Sequence, residues 1–426
     1  MIGKEIFKFA EELWPLNRSL TGQGVRETLS RISNHLKNLE IKSAPSNSKV
    51  FDWIIPKEWA VKEAYIITPS GKKICDYSLN NLHLLGYSIP YSGEVSLKEL
   101  KEHLYTLPEK PEAIPYVTSY YKERWGFCLS QNQLDNLKDG KYNILIDTKL
   151  FDGVLNYAEL LIPGKSKKEI FLSTYVCHPS MANNELSGPT VLTYIAKWLE
   201  DIIKPEYSYR IIFIPETIGS ITYLSKNYKE MKEKIIAGFN VSCVGDNRSY
   251  SYLPSRNGET LSDNIAKHVL KWIDHNFVNY TWLDRGSDER QYCAPGIDLP
   301  IASIMRTKYG KYPEYHTSLD DLKNVVTKEG LDGGYWAIRR AIEAIERNKK
   351  FKVNVFCEPQ MGKRGLYPTL SNNIRKKEDS LMMDFLSLCD GKTSLLLIAE
   401  RLNVPIWELY ELVDKLISHS LIQSNE

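Results

Sequence analysis

Two histidines and a glutamate fall where chemistry is usually placed. Residues Phe171 to Gly188, FLSTYVCHPSMANNELSG, read as an apolar strand that delivers His178 to its C-terminal end, then a Gly/Asn-rich turn and a helix. In an open α/β sheet that edge is where ligands bind. The run Tyr209 to Ile214, YRIIFI, ends likewise in Pro215-Glu216-Thr217 before another helix, and TKYGKYPEYHTSLDDL offers His316 beside Thr317. Imidazoles ligate a divalent cation and a nearby carboxylate accepts a proton, so the set suits metal-assisted hydrolysis.

Each of these residues also has a plainer use. His178 could be a capped histidine at a strand end, and Glu216 the anion that a helix N-terminus favours. Asp288 and Glu289 in GSDER are as readily structural as ligating. Cys177 beside His178 invites a thiol nucleophile, but neighbours on a strand face opposite ways, which argues against it. Arg248, Arg256, Arg290, Arg306 and Lys308 surround these segments and point to an anionic or carboxylate-bearing substrate, with Arg290, Arg306 and Tyr315 the candidates for contact.

Positioning such groups takes a large fold, and the composition provides for one. At 426 residues, 42% of them hydrophobic, the chain can bury a core and divide into two or three domains. A net charge of +2 without a polybasic run gives no case for nucleic-acid or membrane attraction. Seven cysteines at wide spacing, without a CxxC pair, suggest reduced thiols. The start, MIGKEIFKFAEELWPLNRS, is broken by Lys4, Glu5, Glu11 and Glu12 and reads as an amphipathic helix rather than a signal peptide. No apolar run approaches the roughly 20 residues a membrane span needs. The expectation is a cytoplasmic protein.

Periodicity divides the chain into modules. Residues 1–41 read as helical, with Leu29, Ile32, Leu36 and Leu39 at helical spacing. Residues 42–130 turn to short aromatic and β-branched runs such as VFDWII and YVTSYY, with a helical piece around Leu97 to Leu104, and read as a β-rich inserted domain. Residues 131–350 alternate strands with helices, the pattern of an α/β core that this stretch shares with 1–41. Residues 351–426 hold three apolar helical segments with a turn at Asp390-Gly391 and Pro405 at a helix start, a winged-helix pattern. Its last helix carries Glu408, Glu411 and Asp414 against one Lys415, so protein contact or packing is favoured over nucleic acid.

Four segments, CHPSMANNELSG, FIPETIGS, SDERQYCAPGIDLP and EYHTSLDD, stand in this order. With them the chain resembles the zinc aminopeptidase family that includes bacterial leucyl aminopeptidases, glutamate carboxypeptidase and the glutaminyl cyclases. It looks most like the branch of aminopeptidase-like proteins of polysaccharide-biosynthesis loci, which carries a β insertion and a C-terminal winged helix, and the likeness covers essentially the whole chain. It implies a three-layer zinc-exopeptidase-like core with a mixed, largely parallel sheet. It places the family's first histidine ligand on His178, its last on His316 and its general base on Glu216. It also places the bridging aspartate on Asn184, the second glutamate on Thr217 and, with Gly245 taken as the family glycine, the strand-end aspartate on Ser242. The aspartate that orients the first histidine is absent, since Ser180 sits there.

Three anionic ligands are thus neutral here. Two Zn²⁺ ions about 3.5–4 Å apart repel and are ordinarily held by carboxylates, so one zinc per chain is expected rather than two. His178, His316 and one oxygen would hold it: Asp246, just past the strand NVSCVG, Asp288 or Glu289, or the amide of Asn184. The expected function is zinc-dependent hydrolysis of a peptide-like amide, amino- or carboxypeptidase-like, with Glu216 as general base. The substrate would be a small peptide-like compound or a modified amino acid or sugar, because the insertion should roof the cleft. A related amidase, deacylase or cyclase stays open, as does an inactive peptidase-fold binding module that makes protein contacts through the C-terminal helices. A homo-oligomer is compatible with all of these.

Overall fold

The structure, a computed structural model, describes residues 1–120, 122–202, 204–366 and 377–425. Its centre is an eight-stranded sheet in the order Glu40–Pro45, Val154–Ile162, Tyr207–Ile214, Ser166–Tyr175, Ile235–Asn240, Ile301–Met305, Ser251–Leu253 and Val278–Asn279. The four central strands, from Tyr207–Ile214 to Ile301–Met305, are parallel; the strands on either side pair with them antiparallel, and the edge strand Val278–Asn279 pairs parallel with Ser251–Leu253. Ser166–Tyr175 is buried from Glu169 onward, as a strand covered on both faces must be. The helix Ser187–Asp201 follows it, and Gly188 lets that helix lie close: a Cβ there would stand 2.4 Å from Thr174 Oγ1 and 2.5 Å from the Val241 carbonyl oxygen. The fold is the mixed, helix-flanked sheet that the sequence implied.

The inserted module begins and ends later than its composition suggests. Glu40–Pro45 belongs to the main sheet, whereas Lys141–Phe151 pairs with Glu58–Ile67 and Tyr91–Ser96 in a separate antiparallel sheet completed by Lys73–Ile74. The run NILIDTKL, which falls within the stretch 131–350 read as α/β core, is therefore a strand of the insertion. Its alternating burial fits either sheet, and only pairing decides.

The chain forms two compact units, Met1–Asp263 with Asn276–Trp336, and Asn264–His275 with Ala337–Glu426. In the second, the strand Lys350–Val353 pairs antiparallel with Asp390–Ser394 and Ile422–Ser424, beside helices Lys377–Leu388, Leu395–Leu402 and Tyr410–Ser418. The expected turn at Asp390-Gly391 is the start of a strand, where Asp390 Oδ1 accepts the N–H groups of Lys392 and Thr393. His268 of helix Leu261–Ile273 accepts the Ile406 N–H through Nε2 at 2.9 Å and contacts the Glu400 carboxylate through Nδ1. Among the described residues no helix is long and apolar enough to cross a membrane.

Candidate active site

Neighbouring parallel strands end at one edge of the sheet and bring their following loops together. His178 lies three residues beyond Ser166–Tyr175 and Glu216 two beyond Tyr207–Ile214, and His178 Nε2 stands 3.7 Å from the Glu216 carboxylate. His316 comes from the loop after Ile301–Met305, with its ring centroid 5.6 Å from that of His178. These three line a cleft of about 380 Å³ together with Tyr116, Trp53 and Arg290.

His178 is oriented by a residue that the sequence reading passed over. A π-helical turn at Ala182–Leu186 swings Glu185 back so that its carboxylate meets His178 Nδ1 at 3.0 Å. Arg18 lies behind it, with Nε 3.5 Å from Glu185 Oε1 and 3.2 Å from the His178 carbonyl oxygen, which it donates to. Arg18 and Glu185 are both fully buried. Glu185 thus takes the orienting role left open by Ser180, and a proton on Nδ1 leaves Nε2 free as a ligand atom.

Glu216 sits on a strained turn. Thr217 has φ 63° and ψ −77°, and the Ile218 N–H donates to the Glu216 carbonyl at 2.8 Å, a γ-turn seldom made by a non-glycine residue. The Thr217 N–H is held by Asp288 at 2.8 Å, and its hydroxyl accepts from Arg290 at 2.9 Å. Burial raises the Glu216 carboxyl above its ordinary value, against the opposing pull of His178. Asp288, fully buried beside Glu216, is pushed up to about 8 by burial.

His316 is positioned by the insertion. The Tyr116 N–H donates to the His316 carbonyl and the Ser318 N–H to the Ile114 carbonyl, both at 2.9 Å, so a segment of the insertion is stitched to the histidine loop. The Tyr116 ring lies 5.2 Å from the His178 ring and 5.3 Å from that of His316, while Tyr315 stacks on His316 at 3.9 Å. His316 Nε2 is buried without a hydrogen-bond partner, and burial, helped by His178, lowers the imidazole to about 3. A neutral, unsatisfied buried nitrogen is a strong ligand atom.

The carboxylates that a pair of cations would need are absent here or engaged elsewhere. Asn184 Oδ1 accepts the Tyr175 hydroxyl, Thr217 is engaged by a guanidinium, and Ser242 offers a neutral hydroxyl. Asp246 faces four donors, from Asn183 Nδ2, the Arg248 N–H and both the N–H and hydroxyl of Thr307, and so braces the loops. Glu289 is used similarly by Gly286, Ser287, Tyr309 and Asn240. Asp288 holds the Glu216 turn through Thr217 and Ser220. Cys177, His178 and Glu185 present ligand-type atoms within 4.8 Å of one another. That cluster shares Arg18, and burial keeps the Cys177 thiol protonated, so it reads as the support of His178. Cys177 is set aside for this reason and not for strand alternation, since the strand already ends at Tyr175.

Of the five basic candidates, Arg290 alone lines the cleft. Arg248 pairs with Glu314, Arg256 with Asp298, and Lys308 is buried against the Tyr309 and Tyr280 rings. Arg306 is buried, donates to the Asp246 carbonyl and stacks on Tyr250, and it does not line the cleft. Tyr315 acts by stacking on His316. Asn183 and Asp320 were also missed: Asp320 accepts the N–H groups of Asn183 and Asn184 and the Tyr312 hydroxyl, and Asn183 Oδ1 accepts from Gly245 and Asp246.

Comparison with known proteins places the fold. Residues 7–348 match the family described as Domain of unknown function (DUF4910), and residues 349–424 match a winged helix-turn-helix family. The chain belongs to the DUF4910 family. A Clostridium acetobutylicum relative is 43% identical over 423 residues, 99% of this chain and 96% of its own, and is provisionally described as a polysaccharide biosynthesis protein with an aminopeptidase-like domain. A crystal structure from the same organism, provisionally called a peptidase, superposes with a TM-score of 0.93 at 42% identity, covering 99% of this chain and 96% of that one. The zinc aminopeptidase of Bacillus subtilis gives a TM-score of 0.59 at 12% identity, over 80% of this chain and 94% of its own. An M28 peptidase precursor from Shewanella amazonensis gives 0.56 at 12%, over 84% and 98%. This DUF4910 chain therefore has the zinc-aminopeptidase fold with a C-terminal winged helix.

Proposed function

We propose that the chain is a zinc-dependent hydrolase of a peptide-like amide bond that works with one ion, held by His178 Nε2 and His316 Nε2. The observation that carries this is His316 Nε2, neutral, buried and unpartnered in the same cleft as an oriented His178 and a carboxyl of raised pKa. Zinc at the two imidazoles would supply a Lewis acid and a bound water of lowered pKa. Glu216 takes the proton from the attacking water on its carboxylate and returns it to the leaving amine nitrogen. Burial raises its basicity toward the working pH, and the Thr217 turn fixes where the carboxylate points. Glu185 keeps the His178 Nδ1 proton in place, and Tyr116 packs near both imidazoles.

The three neutral positions, Asn184, Thr217 and Ser242, favour a second reading, an inactive fold that binds a ligand in the same cleft. Metal content by plasma mass spectrometry on untagged protein tests the first. About one zinc per chain, lost in the His178→Ala, His316→Ala double variant, together with turnover of a small amide panel that Glu216→Gln abolishes, supports it. No zinc uptake after supplementation removes it in favour of the binding module.

A further inference from the structure

The cleft has one anion and one permanent cation, and the anion already has a task. Among the lining residues Glu216 is the single carboxylate and Arg290 the single lysine or arginine. Arg290 has no carboxylate partner among the described residues: its guanidinium donates through Nη2 to the neutral hydroxyl of Thr217 at 2.9 Å and its side chain is solvent-exposed. An enzyme that trims a free amino terminus needs an acidic group for the α-ammonium. Here a fixed positive charge stands next to the γ-turn that carries Glu216, and it repels an ammonium while offering a planar fork to a carboxylate. Trp53, Tyr116, Tyr120 and Ile218 build a largely apolar wall to the same space, and its volume of about 380 Å³ admits a compact molecule.

We infer that this cleft selects amides that bear a carboxylate and lack a free α-amine, the class of N-acylated amino acids and of acylamino compounds with a sugar-borne carboxylate, and that Arg290 is its specificity-determining residue. The inference rests on the cleft being the substrate site. It does not require zinc. The carboxylate bonds to the guanidinium, and the ring or apolar portion packs on the aromatic wall.

Calorimetric titration of the full-length protein with N-acetyl-phenylalanine, its carboxamide and phenylalaninamide tests this, with N-acetylmuramic acid as the sugar-borne carboxylate. The native chain and the Arg290→Gln and Arg290→Lys variants are compared, each with and without added zinc. Tighter binding of either carboxylate than of both amides is expected. Arg290→Gln should weaken it about 10- to 100-fold, the worth of a charge-assisted hydrogen bond, while leaving the neutral amide unchanged and with Arg290→Lys in between. The stronger of the two carboxylate ligands identifies the source. Preference for phenylalaninamide, equal affinity in Arg290→Gln, or no saturable carboxylate binding overturns the inference. Carboxylate selectivity without turnover by zinc-loaded protein would uphold it while removing the hydrolase reading.

Discussion

Glu185 shows how much one buried carboxylate can hold. It fixes His178 and neutralises Arg18, and both of its charged contacts are shut off from water. Glu185→Gln should cost about 3–5 kcal/mol, because the Arg18 charge is left buried and uncompensated; urea unfolding followed by tryptophan fluorescence measures it. His316 makes a separate prediction in metal-free protein. Its folded pKa is about 3 against an ordinary 6.5, so between these values the unfolded chain binds a proton that the folded one does not. Stability falls as pH is lowered through that window. His316→Asn should flatten this acid limb in thermal unfolding scans.

At the scale of elements, the strand-to-helix turn at Glu216 depends on a neighbour from the short helix Glu289–Tyr292. Asp288, just before that helix, anchors the Thr217 N–H and the Ser220 hydroxyl. Its folded pKa of about 8 lies above the ordinary 3.8, so the folded state holds the extra proton between them. That contribution is complete below about pH 4 and is lost as pH rises through about 8, the opposite direction to His316. Asp288→Asn should therefore reduce the decline in melting temperature of metal-free protein between about pH 4 and pH 8, and an unchanged slope across that window would contradict a protonated Asp288.

Across the whole first unit, the insertion supports the site as well as bordering it. Ile114 to Tyr116 pair with the loop that carries His316, and Tyr116 contacts both imidazoles. Tyr116→Ala should destabilise the chain by about 1–3 kcal/mol and weaken retention of the proposed zinc by about 10-fold or more. Tyr116→Phe, which loses only the hydroxyl contact to Tyr120, should keep most of both; competition with a chromogenic chelator reads the affinity. In the second unit the helix Tyr410–Ser418 presents Glu411 and Asp414 beside Lys415. Fluorescence anisotropy with duplex DNA should show no salt-sensitive binding at physiological ionic strength.

The order of strands and helices, the strand-end placement of His178 and Glu216 and the winged-helix pattern followed from periodicity and local motifs, because apolar spacing and turn residues act over a few positions. The boundaries of the insertion did not, since the alternating run Lys141–Phe151 suits two different sheets and the pairing partner is distant in sequence. Basic residues near the site segments could be counted but not sorted: four of the five are consumed by Glu314, Asp298, the Asp246 carbonyl or tyrosine rings, and Arg290 remains for the cleft. The Asp246 carboxylate, read as lying just past a strand, is in the loop beyond Ile235–Asn240 and is taken up by four donors. Glu185 carried one local hint, an acid in an otherwise neutral ANNELSG turn, but its partner Arg18 lies 167 positions away. Residue types set which chemistry was available, and tertiary packing decided which of those groups stay free to perform it, because each buried charge must find a partner that only the folded chain supplies.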